Sequence, residues 1–144
     1  MFLLDANVLI YAFRRDSPFH GPCYGWLRRA LAGDDPVATT RLVELAFLRI
    51  TTLRSLGKDS APPTDAFEFL HALRRDPMVV RIEPGPDHDE IFARLCGELR
   101  IRGNDMNDAW LAALAFEHGA TLVTADQDFG RFPGLSLVDP VAGS

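Results

Sequence analysis

Residues 109–129 read AWLAALAFEHGATLVTADQDF, and this stretch decides the fold. Leu111, Ala112 and Ala115 lie three, four and seven residues after Asp108, so Asp108 heads the inward stripe of a helix spanning 106–118. Gly119 closes that helix. A short apolar run over 121–124 follows, too brief for a helix, and the chain then meets two carboxylates, Asp126 and Asp128. The amino terminus shows the complementary pattern. MFLLDANVLIYAF drives Phe2, Leu3 and Leu4 directly into Asp5, and helical spacing over 6–14 follows.

Between these ends, short apolar runs at 37–40, 79–82 and 135–138 alternate with helical patterns at 18–32, 41–56, 64–75 and 87–101. The Gly- and Pro-bearing stretches GDDP at 33–36, APP at 61–63, EPGPD at 83–87 and RFPG at 131–134 punctuate them. None of the runs shows clean apolar–polar alternation, as suits strands covered on both faces. Strands alternating with helices imply βαβ units, hence an α/β fold with a mainly parallel sheet of about five strands between helical layers. At 144 residues the chain is read as one domain, 1–144.

Composition narrows the chemistry. The formal net charge is −5, which argues against coating nucleic acid by bulk charge. Lys58 is the sole lysine, so reactions that need a lysine beside a nucleophile have one candidate, and it sits in LRSLGKDSAPP, which reads as a loop. Cys23 and Cys96 stand alone, without CxxC or zinc-finger spacing, which points to a reducing compartment. No signal-peptide pattern or membrane-length apolar run is present, so a cytoplasmic protein is expected. His20, His71, His88 and His118 lack ligand-like grouping and are read as surface or helix-face residues.

Carboxylates carry the functional signal. In an open α/β sheet, ligands bind beyond the carboxyl ends of the strands, where Asp5 and Asp126 fall. Each has a structural alternative: Asp5 as cap of the helix it precedes, Asp126 as cap of the turn around 128–130. Glu44, in ATTRLVELAFLRI, lies one turn into a helix capped by Thr40, at the edge of its apolar face. A carboxylate there is costly unless paired or ligated, and a salt bridge to an arginine is the alternative. Asp108 has the alternative of supporting its helix start, with Asp105 as the cap. If the four converge, their repulsion raises some pKa values unless a cation compensates it. A hard divalent ion such as Mg²⁺ fits such oxygen ligands, with one ion or two about 3.5–4 Å apart.

With those residues in place, the chain resembles the PIN-domain ribonucleases, specifically the VapC-type toxins of toxin–antitoxin pairs. The likeness rests on FLLDANVLIYAF, ATTRLVELAFLRI and NDMNDAWLAALAFEHGATLVTADQDFGRFPGLSLVDP, in that order. It implies a PIN-like three-layer α/β/α sandwich and metal-dependent endonucleolytic cleavage of RNA with Mg²⁺ or Mn²⁺; in-line attack by a metal-activated water would leave a 5′-phosphate and a 3′-hydroxyl. By motif position Asp5, Glu44, Asp108 and Asp126 match the family's acidic quartet. Asp128 matches an accessory acid, Thr124 a site hydroxyl, and Asn7 a small polar residue that is equally a helix-start residue. The resemblance also implies a homodimer and a cognate VapB-type antitoxin. Arg14, Arg15, Arg100, Arg102 and Arg131 are candidate RNA contacts; a solvated arginine face is the alternative for each.

Two other classes share part of this pattern. A haloacid-dehalogenase-like phosphatase also places an aspartate after its first strand, but LLDANV has Asn7 where a second aspartate belongs; a receiver domain fails on the missing lysine. A non-catalytic PIN-fold regulatory or partner-binding module keeps the fold without cutting, and sensitivity to chelator separates it from an enzyme.

Overall fold

In the computed structural model, which describes residues 1–143, five parallel strands lie in the order β3-β2-β1-β4-β5. They are β1 (Phe2–Leu4), β2 (Val37–Thr39), β3 (Val79–Arg81), β4 (Thr121–Val123) and β5 (Leu137–Val138). Six α-helices surround them among the described residues: α1 (Ala6–Phe13), α2 (His20–Leu31), α3 (Arg41–Thr51), α4 (Pro63–Arg75), α5 (His88–Leu99) and α6 (Met106–His118). Consecutive buried residues in the inner strands, Leu3 with Leu4, Val37 with Ala38 and Thr39, and Leu122 with Val123, require cover on both faces. The helices supply it in two groups, with α1 packed on α2 and α3 and α3 on α4, while α5 packs on α6.

Strand order sets the position of everything that follows. From β1 the chain steps outward through β2 to β3, then returns across the sheet to β4 on the other side of β1. Right-handed crossovers in opposite directions place their helices on opposite faces, which leaves a crevice where the direction reverses. That reversal lies between the carboxyl ends of β1 and β4, paired in register from Phe2 with Thr121 to Leu4 with Val123. A knot of aromatic rings, Phe13, Phe47 and Phe69 with centroids 5.3–5.4 Å apart, locks α1, α3 and α4 together. Phe47 is fully buried there, and truncating such a ring costs about 3–5 kcal/mol.

Three local expectations are corrected. The helix expected over 41–56 stops at Thr51, and a 3₁₀ segment (Arg54–Asp59) follows. The hydroxyls of Thr51 and Thr52 donate back to Phe47 O and Leu48 O, competing with the backbone ladder, and Gly57 takes a positive φ of 59° that breaks the segment. Thr40 occupies the cap position of α3 without a capping bond; instead Thr40 Oγ1 and Arg41 N both donate to Glu83 Oε1, at 3.1 and 2.8 Å. Asp105 likewise precedes α6 without capping it, because a 3₁₀ turn (Gly103–Asp105) runs directly into the helix. Of the two readings offered for the histidines, surface or helix face, His88 takes the second: it opens α5 fully buried, with Nε2 2.9 Å from Trp110 O. Gly119 ends α6 in the left-handed conformation, φ 63°, as a C-terminal glycine should.

Candidate active site

The two strand-end aspartates are joined by one hydroxyl. Asp5 follows β1, and its amide donates to Val123 O of β4 at 2.9 Å, so the backbone already ties the two strand ends. Asp5 Oδ1 accepts from Ala6 N at 2.7 Å, which makes it the cap of α1. Its Oδ2 accepts from Thr124 Oγ1 at 2.8 Å and from Asn7 Nδ2 at 3.2 Å. Thr124 Oγ1 in turn accepts from Asp126 N at 3.0 Å, and Asn7 Oδ1 accepts from Ala125 N at 3.2 Å. Asp126 Oδ1 takes the Asp128 amide at 2.9 Å and so caps the 3₁₀ segment Gln127–Arg131. The capping roles are therefore real for both acids. They do not compete with a site, since each cap occupies one lone pair of a carboxylate that has about four.

Asp108, the third residue of α6, completes the group. It shares with Asp5 a hollow of about 160 Å³ whose opposite wall is the α3 face of Leu42, Leu45, Ala46 and Arg49. Burial is the largest influence on Asp5 and raises its pKa to about 6; hydrogen bonds from Thr124 and Ala6 oppose this, while the charges of Asp108 and Asp126 add to it. Burial also raises Asp108, helped by Asp126 and Asp105 and opposed by Arg131. Three carboxylates from β1, α6 and the β4 exit thus share one electrostatic neighbourhood.

Glu44 is not brought into that group, and the expectation that it converges with the others is corrected here. Its carboxylate is buried and accepts from Arg81 Nε and Nη2 at 3.0 and 2.9 Å, from Arg74 Nη1 at 2.9 Å and from Thr39 Oγ1 at 2.9 Å. At 100° per residue, Glu44 lies across the α3 axis from Leu42, Ala46 and Arg49, which face the hollow. Nor is it among the charges that act on Asp5. The paired alternative describes Glu44 as the structure places it.

The candidate RNA-contacting arginines divide. Arg14 is committed to Asp16 at 3.0 Å and approaches Asp59 at 4.0 Å. Arg14 and exposed Arg15 follow the end of α1, roughly 12 Å along the helix from Asp5, so neither adjoins the acids. Exposed Arg100, which ends α5 at φ 54°, and exposed Arg102 lie on the segment leading into α6. Asp128 is exposed beside Asp126. Arg131 is the one candidate in contact with an acid of the site, donating from Nη2 to Asp108 Oδ2 at 3.1 Å. Sequence reasoning missed Arg49, which lines the hollow and makes no ion pair among the described residues. The signal was present: Leu42, Leu45, Ala46 and Arg49 recur at helical spacing, and Leu45 is 64% exposed, out of place on a buried stripe.

The PIN-domain family profile matches residues 2–135. The chain belongs to the PIN-domain family. Ribonuclease VapC25 of Mycobacterium tuberculosis is 40% identical over 140 residues, covering 97% of this chain and 99% of that protein. VapC ribonuclease Mb2897 of Mycobacterium bovis is 36% identical over 143 residues, 99% of this chain and 97% of that one. Among solved structures, VapBC2 of Rickettsia felis bound to a promoter DNA fragment superposes with a TM-score of 0.73 at 24% identity, covering 96% of this chain and 97% of that chain. VapC20 of Mycobacterium tuberculosis, a sarcin–ricin loop cleaving toxin, superposes with 0.64 at 18% identity over 90% and 93%. At those identities the superpositions speak for the fold.

PIN domains are metal-dependent nucleases in general, and the donor set of this one suits a hard cation. The clustered ligating side chains are carboxylates, with no histidine or cysteine among them, as Mg²⁺ and Mn²⁺ prefer. The pKa of Asp5 is raised chiefly by burial, and the charges of Asp108 and Asp126 add a smaller push that a divalent cation would relieve. As they stand, no three acids, histidines or cysteines among the described residues close into a ligand set; one oxygen of Asp108 is occupied by Arg131 instead.

Proposed function

We propose that this protein is a metal-dependent endoribonuclease, the toxin of a VapBC-type pair, with Asp5, Asp108 and Asp126 as its metal-holding acids. The observation that carries the reading is that the charges of Asp108 and Asp126, from separate elements, act on Asp5 where strand order reverses, with Asp5 pushed up to about 6. Near-full-length identity of 40% to a VapC ribonuclease supports the activity. A bound Mg²⁺ or Mn²⁺ ion supplies activation of water and charge neutralisation at phosphate.

The chain's own residues do the rest. Thr124 and Asn7 orient Asp5 by fixing Oδ2, and Thr124 sets Asp126 through its amide. The 3₁₀ cap at Asp128 N holds Asp126 against rotation, and Asp128 stands as an outer acid. The wall of Leu42, Leu45 and Ala46 excludes water from one side of the hollow and strengthens the electrostatics inside. Arg49 on that wall, with Arg100 and Arg102 on the approach to α6, offers cations for backbone phosphates of the RNA. Glu44 serves as the anchor of Arg74 and Arg81; a role at the metal requires it to leave both. We take residues 1–144 as one domain that dimerises, acts in the cytoplasm and is restrained by a VapB-type antitoxin. No helix among the described residues is long and apolar enough to cross a membrane.

The test is direct. Purified protein incubated with total RNA and MgCl₂ should generate new 5′-phosphate ends, and both EDTA and Asp126→Asn should stop their appearance. Cleavage that persists unchanged in EDTA, or in a folded Asp126→Asn variant, would defeat the metal-site reading. A folded, manganese-binding protein that cuts no RNA would leave a binding module.

A further inference from the structure

Arg131 occupies an awkward place. It ends the 3₁₀ segment that Asp126 caps, and one terminal nitrogen donates to Asp108 Oδ2 at 3.1 Å while standing 3.8 Å from Asp105 Oδ1. The pairing uses one arm of a guanidinium built for two-armed recognition of carboxylate. Its Nε is buried and has no hydrogen-bond partner among the described residues. A charged donor left unpaired in a protein interior is unusual enough to need an explanation. The guanidinium carbon also lies 5.1 Å from the ring centre of Phe132, which is itself buried, so the side chain rests on a fixed apolar platform.

We propose that Arg131 is a movable counter-ion: it holds Asp108 while the metal is absent and transfers to an RNA phosphate once the metal has taken that carboxylate. This inference rests on the nuclease reading above. Three carboxylates with no cation repel one another, and Arg131 is the positive group in contact with Asp108. Arg131 takes one lone pair of Asp108, so the competition is one of charge: a divalent ion at this carboxylate sets two positive charges beside the guanidinium and weakens its hold. With that ion bound, the three acids are still one charge in excess, and a phosphodiester adds another. Arg131 is then the nearest displaced cation to offset it. Phosphate oxygens would also satisfy the fork that Asp108 leaves half used, including Nε, and the Phe132 ring supports the guanidinium in both positions.

Two measurements with opposite signs test it. In calorimetric titration without RNA, Arg131→Gln should bind Mn²⁺ about fivefold more tightly than the unaltered protein, the scale expected for removing a partly exposed competing ion pair. Arg131→Lys, which keeps the charge, should stay closer to the unaltered affinity than Arg131→Gln. At saturating Mn²⁺, Arg131→Gln should nevertheless cleave RNA at least tenfold more slowly, with the thermal melt confirming that it is folded. Unchanged or weaker manganese binding in Arg131→Gln overturns the competition, as a purely structural ion pair would produce. Tighter binding with undiminished cleavage overturns the transfer to phosphate. If the unaltered protein takes up no manganese at all, the nuclease reading itself has failed, a result distinct from either.

Discussion

Replacing Asp5 by asparagine should make the metal-free protein more stable at neutral pH while disabling it. Asp5 has its pKa raised from 3.8 to about 6, chiefly by burial. A carboxyl whose folded pKa is raised favours the fold only below its unfolded value, and that advantage is lost as pH climbs through the folded one. At pH 7 the loss is complete, and the shift corresponds to about 3 kcal/mol at 1.36 kcal/mol per pH unit. Asparagine removes the charge and keeps an oxygen for Ala6 N. Its amide nitrogen, however, faces Asn7 Nδ2 at 3.2 Å, a donor whose bond is lost at a cost of about 1 kcal/mol, and Thr124 Oγ1 at 2.8 Å, a hydroxyl that can turn from donor to acceptor. The net gain is therefore about 1–2 kcal/mol, or roughly 3–6 °C in Tm for a chain of this length.

Paired thermal melts in EDTA measure it, and pH supplies the control. Near pH 4, Asp5 is protonated in the fold and carries no penalty, so the variant should fall level with the unaltered protein or slightly below it. Other carboxylates titrate over the same range but are common to both proteins and cancel in the difference. Addition of MnCl₂ at pH 7 should raise the Tm of the unaltered protein well above its change in Asp5→Asn. A variant that melts lower by the same margin at pH 4 and pH 7 would show that Asp5 carries no charge stress, and the argument for a cation at this place would go with it.

Three further outcomes follow from the same geometry. Mn²⁺ affinity should drop roughly tenfold between pH 7 and pH 5, because a proton at Asp5 with pKa about 6 then competes for the ligand; a flat calorimetric profile would contradict this. Glu44→Gln should destabilise the fold by about 3 kcal/mol by leaving Arg74 and Arg81 without their buried partner, with manganese affinity changed less than about twofold. A tenfold loss of affinity at unchanged Tm would instead place Glu44 among the ligands. Thr124→Val should remove the hydroxyl joining Asp5 Oδ2 to Asp126 N, costing about 1–3 kcal/mol in a denaturant melt and weakening manganese binding; an unaltered affinity would mean that the acids hold their positions without it.

What was legible in the chain divides by the range of the interactions involved. Asp5 and Asp126 were readable because their positions follow from strand ends and from a parallel topology, both written locally in apolar runs that stop at a carboxylate. Asp108 was readable from a helix whose inward stripe it heads. The capping assignments at Thr40 and Asp105 failed for a different reason. Local rules place a cap residue, yet Glu83, 42 residues beyond Arg41, supplies the acceptor at α3, and a 3₁₀ turn displaces the cap at α6. Sequence spacing carries no record of such a distant partner.

Glu44 and Arg49 show the same limit on one helix. The turn containing Phe47 and Leu48 places Glu44 at an edge of the apolar face of α3, but a helix has two such edges. Which edge meets the acids depends on how α3 rolls against the sheet. That roll is fixed by Phe47 packing against both Phe13 and Phe69 in a mutual triangle of rings, and by Arg74 and Arg81 reaching Glu44 from 30 and 37 residues away. The edge bearing Glu44 thus turns toward arginines, and the edge bearing Arg49 turns toward Asp5 and Asp108. A cation then stands on the wall of the hollow where an anion was expected. The loss of Glu44 from the group lowers the repulsion among the remaining acids and leaves fewer fixed ligands for the metal, so metal binding in this protein should depend more steeply on Asp5, Asp108 and Asp126 than four equal carboxylates would require.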